Sequence, residues 1–469
     1  MIVLGAGPAG LAAACELARG GRSVTVLERE RLVGGLARTE SYRGFRFDIG
    51  GHRFYTKSEE VNRFWTDALG PDFLLRPRLS RIYYRNRFFR YPLQAMDTLR
   101  GLGPLEAVLS VGSFLRRRLR PVAVEDSFEG WVTNRFGDRL FRTFFKGYTE
   151  KVWGIPCSEL RAEWAAQRIK DLSLGRVLLK AFGFGGAAVR SLIERFQYPR
   201  LGPGMMWEAV ARNAQAAGAT LRLGADVVRI ERADARIEAV VVATPLGEDR
   251  IESAQLVTSI PLRTFVRRLD PPPPEAVRRA ADQLRHRDYL TVCLILRRPH
   301  VFPDNWIYVH EPGVRVARIQ NYKNWSAEMV PDAGQTSLGL EYFCQEGDDL
   351  WARTDAELVE LATRELERIG LAQPGDVEDG CVFRVKEAYP IYDAGYGEQL
   401  AVVRSFVEGL TNCQTIGRNG LHRYNNQDHA VLSGLLAARN VLHGRRFDVW
   451  SIGSEADYLE EAPAIAAAG

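Results

Sequence analysis

The chain has 469 residues, of which 46% are hydrophobic and 26% are charged, and it carries a formal net charge of +5. This length is too great for one simple hydrophobic core, so we expect a globular protein of two or three domains. The excess of positive charge is modest and no DNA- or RNA-binding motif occurs. These features argue against nucleic acid as a partner and are compatible with an anionic small ligand.

No apolar run reaches the ~20 residues that a membrane-spanning helix needs. The apolar start at residues 1–4 is too short for a signal peptide and has no basic segment before it. We therefore expect a cytoplasmic protein. The cysteines form no CxxC pair, which predicts neither a disulfide framework nor a zinc site, and no other metal site is predicted. They are Cys15, Cys157, Cys293, Cys344, Cys381 and Cys413.

The first predicted elements are a strand at residues 1–4, a glycine-rich turn at 5–10, a helix at 11–19 and a second strand at 23–27. This order is typical of a dinucleotide-binding unit. Gly5 permits the tight turn, Gly7 lets the backbone approach a pyrophosphate, and Gly10 lets the helix pack against the strand. The helix N-terminus supplies N–H groups and a positive dipole to the phosphates.

Glu28 ends the second predicted strand, where a carboxylate binds the ribose hydroxyls of a dinucleotide. Because it would repel a 2′-phosphate, the site favours a ligand of the FAD or NAD type over NADP. The alternative is a glycine-rich turn in an ordinary α/β unit. The cofactor contacts predicted in this unit are Gly5, Gly7, Pro8, Ala9, Gly10, Glu28 and Arg29.

The next part of the chain predicts a helix at 58–70, strands flanking a turn at 81–91, and mainly helices from 104 to 200. A basic cluster at 116–120 predicts a solvated face, with contact to an anionic surface as the alternative. The segment 174–196 mixes apolar residues, glycines and basic residues. It fits an amphipathic helix pair, a mobile flap or a contact with a membrane surface, and we expect no membrane contact.

The second half predicts a β-rich stretch at 220–257, a proline-marked crossover at 271–274, strands at 289–296 and 306–321, an amphipathic helix at 350–369 and a final helix that ends near 442. The predicted fold class is therefore α/β. A Rossmann-like nucleotide domain is assembled from residues 1–80, 200–270 and 380–469. A mainly helical insert covers 81–199, and an antiparallel-sheet substrate domain covers 271–379.

Gly5 to Glu28, followed by Gly34, Gly35 and Arg38, resemble the flavoprotein superfamily of amine oxidases, protoporphyrinogen oxidase and phytoene desaturase. This resemblance implies an FAD-binding fold and FAD as the cofactor, but not a particular reaction.

A narrower resemblance is to the UDP-galactopyranose mutase family. The segments that carry it occur in the same order along the chain: Gly50-Gly51-His52, Tyr91-Pro92-Leu93-Gln94, Lys151 to Pro156 with Trp164 and Arg168, Trp306-Ile307-Tyr308, Arg318 to Tyr322, Tyr389-Pro390, and Gly417 to Gly420 with Tyr424 and Asn426 to His429. The resemblance implies a reaction without net redox change. The pyranose and furanose forms of a nucleotide-linked hexose interconvert, with N5 of reduced FAD as the nucleophile.

The resemblance also implies roles for single residues. Arg168 and Arg318 would hold the departing diphosphate, since a guanidinium stays charged and matches phosphate oxygens, and His52 would lie beside the flavin. These three are the predicted catalytic residues. The predicted substrate-binding residues are Gln94, Trp306, Tyr308, Asn321, Tyr322, Tyr389 and Tyr424. NAD(P)H or another reductant would keep the flavin reduced, and the oligomeric state stays open.

The same resemblance implies further cofactor contacts beyond the first βαβ unit. Val227 would face the adenine through its backbone, and the segment after Gly417 would place a helix N-terminus at the flavin. The contacts are Gly35, Leu36, Ala37, Gly50, Gly51, His52, Val227, Gly417, Arg418, Tyr424, Asn426, Gln427 and Asp428.

Two other functions remain open at this point. One is an FAD-dependent oxidoreductase that acts on an amine, a porphyrinogen, or a nucleotide- or lipid-linked sugar. Sites for amines and porphyrinogens are normally lined by apolar and aromatic groups and lack a diphosphate clamp. The other is a flavin-binding regulator without enzymatic activity, which the many polar groups at the expected site disfavour.

Overall fold

A computed structural model of the chain describes residues 1–91, 101–123, 125–163, 194–245, 247–444 and 447–453. Gln94, Trp164 and Arg168, which the resemblance singles out, lie outside these residues. Most of the segment 174–196 also lies outside them.

The described residues contain strands in two main sheets and three smaller ones. In chain order they are β1 (Ile2–Leu4), β2 (Thr25–Glu28), β3 (Thr39–Tyr42), β4 (Phe45–Asp48), β5 (Phe73–Pro77), β6 (Ser80–Tyr84), β7 (Arg87–Arg90), β8 (Arg195–Pro199), β9 (Thr220–Leu223), β10 (Asp226–Ala233), β11 (Arg236–Thr244), β12 (Gly247–Glu252), β13 (Leu256–Thr258), β14 (Leu269–Asp270), β15 (His286–Leu296), β16 (Trp306–Val309), β17 (Arg318–Asn321), β18 (Thr336–Cys344), β19 (Val377–Pro390) and β20 (Cys413–Thr415).

The α-helices of the described residues surround these sheets. They are α1 (Pro8–Arg19), α2 (Glu59–Leu69), α3 (Pro104–Leu119), α4 (Phe128–Leu140), α5 (Gly147–Trp153), α6 (Pro203–Ala216), α7 (Leu262–Arg268), α8 (Glu275–Gln283), α9 (Tyr322–Trp325), α10 (Asp355–Arg368), α11 (Tyr396–Gly409), α12 (Gly417–Gly420) and α13 (Gln427–His443). A π-helical turn, Phe141–Lys146, joins α4 to α5. No helix in the described ranges is both long and apolar enough to cross a lipid bilayer.

The nucleotide domain is built on a parallel sheet with the strand order β20-β13-β1-β2-β9. All three residues of β1 are buried, as expected for a central parallel strand that is covered on both faces. α1 and α13 pack closely on each other, since a Cβ at Gly434 of α13 would lie 2.2 Å from the carbonyl oxygen of Ala9. This sheet confirms the predicted Rossmann-like part of the α/β fold.

Gly10 brings α1 against β1, which is the packing role that the sequence predicts for it. A Cβ at this position would lie 1.9 Å from the carbonyl oxygen of Gly5, a backbone atom that cannot move aside. We therefore expect Gly10→Ala to lower the free energy of unfolding by about 1–3 kcal/mol, the usual cost of overpacking. Urea unfolding of the variant measures this loss.

Gly397→Ala is the matched control, because Gly397 also lies in a helix and a Cβ there meets no atom within 4 Å. Alanine is the better helix former, so this variant should unfold at the same or a slightly higher urea concentration. Equal midpoints for the two alanine variants would contradict the packing role of Gly10.

The second main sheet has the order β19-β15-β18-β17-β16-β6-β7, with mostly antiparallel neighbours. It confirms the antiparallel sheet of the predicted fold class, and it is built from segments that the sequence analysis places in three different predicted domains. The hairpin of β6 and β7 was assigned to the helical insert by its position in the sequence, yet β6 pairs with β16 in this sheet. β19 was assigned to the nucleotide domain, yet it pairs with β15 along most of its length. Both pairings join residues far apart in the sequence, which a local pattern does not reveal.

The helical insert contributes α3, α4 and α5 and packs on the outer end of the second sheet. Its core joins side chains of the hairpin to the helices: Ile82, Phe89, Phe114, Leu140 and Phe144 are all buried together. The faces of the two main sheets and the N-terminus of α13 enclose one large cavity.

Candidate active site

A cavity of about 640 Å³ runs from the glycine-rich turn after β1 to the exposed face of the seven-stranded sheet. It collects residues from widely separated parts of the chain. The sequence-predicted residues that line it are Gly5, Gly7, Pro8, Ala9, Glu28, Arg29, Gly35, Leu36, Ala37, Gly50, Gly51, His52, Val227, Trp306, Tyr308, Arg318, Tyr389, Gly417, Arg418, Tyr424, Asn426 and Gln427.

The dinucleotide end of the cavity is formed by the turn between β1 and α1. Gly5 has a φ of 94°, a conformation that side chains rarely adopt. Gly7 faces Gly35, where a Cβ would lie 3.2 Å from the Gly7 Cα. The α1 N-terminus opens into this space with Pro8 as its first residue, so its unpaired N–H groups are available to phosphate oxygens.

Glu28 is buried at the end of β2 and its carboxylate is held by backbone. The Ala6 N–H donates to Oε2 at 2.7 Å and the Glu30 N–H donates to Oε1 at 2.9 Å. Because each oxygen retains a second lone pair, the carboxylate can still accept from two hydroxyl groups in the cavity. This geometry suits the ribose of a dinucleotide that lacks a 2′-phosphate.

The opposite end of the cavity is lined by the segment after β4. Gly50 has a φ of 98°, and the chain there is fixed by the Tyr289 hydroxyl, which donates to the Ile49 carbonyl at 2.6 Å. A Cβ at Gly51 would lie 2.6 Å from Nε2 of Gln320 on β17. The hydrogen bond and this close approach place the backbone of the glycine pair directly against the seven-stranded sheet.

His52 follows the glycine pair, and its Nδ1 lies 3.0 Å from the Gly50 carbonyl oxygen. Burial, together with the charges of Arg418 and Arg318, lowers the pKa of His52 to about 3. The ring is therefore neutral at pH 7. Since Nδ1 must carry the proton to bond a carbonyl, Nε2 remains an acceptor.

Arg318 lies on the face of the seven-stranded sheet that lines the cavity. The strand register places Tyr308 of β16, Arg318 of β17 and Glu341 of β18 in one row across the sheet. Glu341 is fully buried and its Oε2 accepts from Nε of Arg318 at 2.9 Å and from Nη2. Although burial lowers the pKa of Arg318, the Glu341 carboxylate outweighs it and raises that pKa well above its ordinary value.

The ion pair with Glu341 orients the Arg318 guanidinium. Nη2 also donates to the Tyr389 hydroxyl at 3.3 Å. Within the described ranges Nη1 makes no hydrogen bond, so it is the nitrogen available to a ligand in the cavity. Glu341 additionally accepts from Nε2 of Gln320 at 2.9 Å. One buried carboxylate thus fixes two side chains that face the cavity.

Arg418 is a second guanidinium in the cavity, and backbone carbonyls hold it. Its Nε and Nη2 donate to the Asn425 carbonyl at 3.0 and 2.7 Å, and Nη1 donates to the Ala388 carbonyl at 3.2 Å. It stacks over the Tyr424 ring at 4.6 Å. Among the described residues it has no ion pair with a carboxylate, so its positive charge is not neutralised by them.

Aromatic residues form the walls between these charged groups. Tyr389 and Tyr424 stack with ring centroids 5.4 Å apart, and burial raises the pKa of Tyr389 to about 12. Trp306 stacks on Trp325 at 5.3 Å, and the Tyr308 ring meets Trp306 edge to face. The Tyr389 hydroxyl is therefore a neutral donor beside a flat aromatic surface.

Four predicted residues in the described ranges do not line the cavity. Gly10 serves the packing of α1, and Asp428 lies in the first turn of α13. Asn321 donates to the Phe302 carbonyl at 3.1 Å and the Tyr322 hydroxyl donates to the Asp48 carbonyl at 2.9 Å, both within buried structure. Alternate residues of β17 face opposite sides of the sheet, so Gln320 faces the cavity while Asn321 faces away.

Several cavity residues were not predicted from the sequence. Strand alternation from Arg318 would have identified Gln320, whereas the others come from separate strands, helices and loops that only the fold brings together. They are Glu30, Asp226, Arg268, Tyr289, Gln320, Glu387, Asn419 and Asn425. Asp226 and Arg268 form an ion pair at 3.0 Å beside Val227.

The cavity also contains side-chain amides whose hydrogen-bonding capacity is not satisfied by the described residues. Buried atoms without a partner there are Oε1 of Gln320, Oδ1 of Asn419, Nδ2 of Asn425 and Nε2 of Gln427. Buried polar groups are nearly always hydrogen-bonded, so these two acceptors and two donors fit a ligand with a mixed polar edge. Together with the glycine turn and Glu28, they fit the dinucleotide and ring system of FAD.

Comparisons with known proteins agree with this assignment. The family model described as flavin containing amine oxidoreductase matches residues 8–442. A phytoene dehydrogenase of Streptomyces griseus is 29% identical over 275 residues, which are 51% of this chain and 51% of that protein. An inactive all-trans-retinol 13,14-reductase of Danio rerio is 50% identical over 69 residues, 15% of this chain and 11% of that protein. The chain thus matches about half the length, or less, of these curated relatives.

Solved structures share the fold over nearly the whole chain. A reduced UDP-galactopyranose mutase superposes with a TM-score of 0.83 at 22% identity and covers 97% of both chains. An oxidoreductase from Methanosarcina mazei superposes with a TM-score of 0.63 at 15% identity, covering 92% of this chain and 98% of that one. These identities show a common fold. The family match over residues 8–442 and the cavity together establish that the chain belongs to the flavin-containing amine oxidoreductase family, with FAD as its cofactor.

Proposed function

We propose that the protein is a flavin-dependent mutase that interconverts the pyranose and furanose forms of a nucleoside-diphosphate hexose. The observation that carries the proposal is the pair of guanidinium groups beside Tyr389. Arg318 donates to the Tyr389 hydroxyl, and the Arg418 guanidinium lies 5.5 Å from the centre of the same ring. Two guanidinium groups contact one ring and only Arg318 pairs with a carboxylate, so the net positive charge of these groups favours an anionic ligand.

The charge balance of the cavity supports a diphosphate over an amine. Glu341 neutralises Arg318, while the described residues offer no carboxylate to Arg418. A protonated amine would meet an uncompensated cation, whereas a diphosphate would balance it. A polyamine is therefore a poor substrate for this site, although the family is named after amine oxidation.

The arginines would act on the leaving group. As the bond between the anomeric carbon and the diphosphate breaks, negative charge grows on the β-phosphate, and a fixed cation stabilises that state more than the bound substrate. Nη1 of Arg318 is oriented for this role by Glu341. Arg168 belongs to the same proposal on the strength of the resemblance.

Aromatic residues and the neutral histidine would position the sugar and the base. Trp306 and Tyr308 offer a flat wall for stacking, and the tyrosine hydroxyls donate to phosphate or sugar oxygens. His52 offers Nε2 as an acceptor beside the glycine pair. Reduced FAD supplies the nucleophilic centre when it is bound, and an external reductant such as NAD(P)H would keep it in that state.

The test is an exchange assay with the purified, dithionite-reduced holoenzyme. UDP- and dTDP-linked hexoses are incubated with it, and the pyranose and furanose forms are separated by chromatography. We expect interconversion of at least one of these compounds by the reduced enzyme and none by the oxidised enzyme. Failure of every compound with the reduced enzyme would contradict the proposal.

A second candidate is an FAD-dependent oxidoreductase, because the family match and the similarity to a phytoene dehydrogenase concern redox enzymes. Its signature is net electron transfer. If a nucleotide- or lipid-linked sugar reduces the oxidised flavin in amounts equal to the product formed, this function replaces the mutase.

The neutral state of His52 leads to a pH prediction. Its folded pKa of about 3 lies below the ordinary value of 6.5, so between these values the unfolded chain binds a proton that the folded chain does not. Stability is therefore lost as the pH falls below 6.5, by up to about 2 kcal/mol at pH 5 from this residue. His52→Gln should lose that much less stability than the wild type between pH 7 and pH 5.

Urea unfolding of the apoprotein at the two pH values measures the difference. The exposed His300 provides the control, and His300→Gln should follow the wild type. Identical pH dependence of His52→Gln and the wild type would contradict the assignment of a neutral, buried ring.

A further inference from the structure

The strand β19 departs from regular pairing beside the cavity. Its register with β15 shifts between Arg287 and Tyr289, so that the single residue Asp288 lies opposite residues 386–388. We call residues 386–388 the β19 bulge. Extra residues in one strand of an antiparallel pair bend that strand and redirect its backbone groups. The β19 bulge lines the cavity immediately before Tyr389.

Glu387, at the centre of the β19 bulge, has a left-handed backbone with a φ of 53°. A residue with a side chain adopts this conformation where its surroundings fix it. Both polar groups of its backbone are engaged: the N–H donates to Oδ1 of Asp288 at 2.7 Å, and the carbonyl accepts from Nδ2 of Asn419 at 2.9 Å. These two side chains therefore fix the conformation of the bulge.

The β19 bulge presents two consecutive carbonyls to α12. The Ala388 carbonyl accepts from Nη1 of Arg418 at 3.2 Å, next to the bond between Asn419 and the Glu387 carbonyl. Consecutive carbonyls of a regular strand point to opposite edges, so a strand without the bulge would not hold both side chains. Arg418 and Asn419 both line the cavity.

The bond to the bulge decides how the Asn419 amide is oriented. Because Nδ2 donates to the Glu387 carbonyl, Oδ1 is the atom left to accept a hydrogen bond. This oxygen is buried and has no partner among the described residues. The bulge thus fixes an acceptor in the part of the molecule that fits FAD.

Asp288 anchors the β19 bulge without lining the cavity itself. Its side chain is buried, and its Oδ2 accepts from the Glu346 N–H at 2.8 Å and from Nε2 of Gln345 at 3.3 Å. Its Oδ1 accepts from the Glu387 N–H. An ionised carboxylate accepts on both oxygens, so it can tie the segment after β18 to the bulge of β19.

We infer that Asp288 is a positioning residue of the cofactor site, which acts through the β19 bulge to fix the side chains of Arg418 and Asn419 where FAD binds. The inference rests on FAD as the cofactor and not on the reaction proposed above. A failure of sugar exchange therefore leaves it intact, and its own test measures the binding of FAD.

Asp288→Asn tests the inference. The amide oxygen is best placed at the Oδ2 position, where two donors meet it, so the amide nitrogen faces the Glu387 N–H and the bulge loses its anchor. Release of FAD from the diluted holoenzyme, followed by flavin fluorescence, measures its Kd. We expect the Kd to rise about tenfold, the equivalent of one hydrogen bond.

Glu365→Gln is the matched control. Glu365 is a buried carboxylate that also accepts from two backbone N–H groups, those of Arg315 at 2.6 Å and Val316 at 2.9 Å. The variant places an amide nitrogen against a backbone N–H in the same way, but none of these three residues lines the cavity. Its Tm should fall as that of Asp288→Asn does, while its Kd for FAD stays at the wild-type value.

A double-mutant cycle tests whether Asp288 acts through Asn419. In the Asn419→Ala background the side chain that the bulge orients is missing, so adding Asp288→Asn should raise the Kd by no more than about threefold. The absorption bands of the bound flavin are a second readout, since they respond to hydrogen bonds and charges around the cofactor. They should be displaced in Asp288→Asn and unchanged in Glu365→Gln.

Three results would overturn the inference. The first is a wild-type Kd or wild-type absorption bands in Asp288→Asn, and the second is an equal rise in Kd whether or not the Asn419 side chain is present. The third is a rise in Kd for Glu365→Gln as large as that for Asp288→Asn, which would assign the effect to a general loss of stability.

Discussion

Glu341→Gln lowers the free energy of unfolding by about 3–5 kcal/mol, the usual result of breaking a buried ion pair by removing one partner. The variant leaves the Arg318 charge buried without its counter-charge. It also replaces an oxygen that accepts hydrogen bonds with an amide nitrogen that faces the donors of Arg318 or Gln320. The expected fall in Tm is on the order of 3–5 °C for a chain of this length.

Thermal unfolding of the apoprotein, followed by circular dichroism, measures this effect. Glu346→Gln is the control, because Glu346 pairs with Lys386 at the surface, where both side chains are more than half exposed. Surface pairs of this kind contribute little, so the control should retain the wild-type Tm. If both variants unfold at the same temperature, the buried ion pair between Glu341 and Arg318 does not stabilise the fold.

Arg318→Lys reduces kcat/KM for the nucleotide sugar by about 10²–10³, the loss typical of removing one donor that stabilises charge in the transition state. Lysine keeps the positive charge and its ion pair with Glu341, so the fold should survive. It lacks the planar fork of donors, however, and cannot bond the carboxylate and a phosphate at once with fixed geometry.

The exchange assay on reduced holoenzyme gives the rate, and the flavin spectrum shows that the cofactor is still bound. Arg315→Lys is the control, since Arg315 lies three residues earlier and pairs with Asp349 at the surface. Its kcat/KM should equal that of the wild type. Equal rates for Arg318→Lys and the wild type would remove Arg318 from the catalytic machinery.

The dinucleotide end of the cavity was predictable because its signals are local. The turn at Gly5 to Gly10 and the carboxylate of Glu28 each depend on residues close together in the sequence. Backbone conformation imposes such patterns directly, as the positive φ of Gly5 shows.

The end of the cavity at the seven-stranded sheet was less predictable because its geometry depends on strand pairing. Glu341 reaches Arg318 only through the register of β17 and β18, which are separated by fourteen residues that include α9. Strand pairing also explains why Gln320 lines the cavity, whereas the sequence analysis named its neighbour Asn321. The resemblance to a family identified the strand, whereas the alternation of side chains decides which of its residues faces the cavity.

The sheet that the β6–β7 hairpin joins was not predictable for a related reason. The β6–β7 hairpin precedes the insert helices in the sequence but pairs with β16, more than two hundred residues later. Hydrophobic periodicity identifies a hairpin but carries no information about the sheet that it joins. Helix α3 shows the converse case, in which the sequence displays a basic cluster at 116–120 while the structure reveals exposed apolar side chains beside it, such as Leu115 and Leu119.

Positional isotope exchange provides the most direct test of the proposal that the cavity holds a diphosphate as it departs from the sugar. UDP-galactose labelled with ¹⁸O at the oxygen between the anomeric carbon and the β-phosphorus is incubated with the reduced holoenzyme, and ³¹P NMR follows the label. If the diphosphate leaves, rotates between Arg318 and its neighbours and returns, the label moves into the non-bridging positions of the β-phosphate. If the label stays in the bridging position while the enzyme converts or oxidises the sugar, the diphosphate does not leave, and the proposed reaction is contradicted.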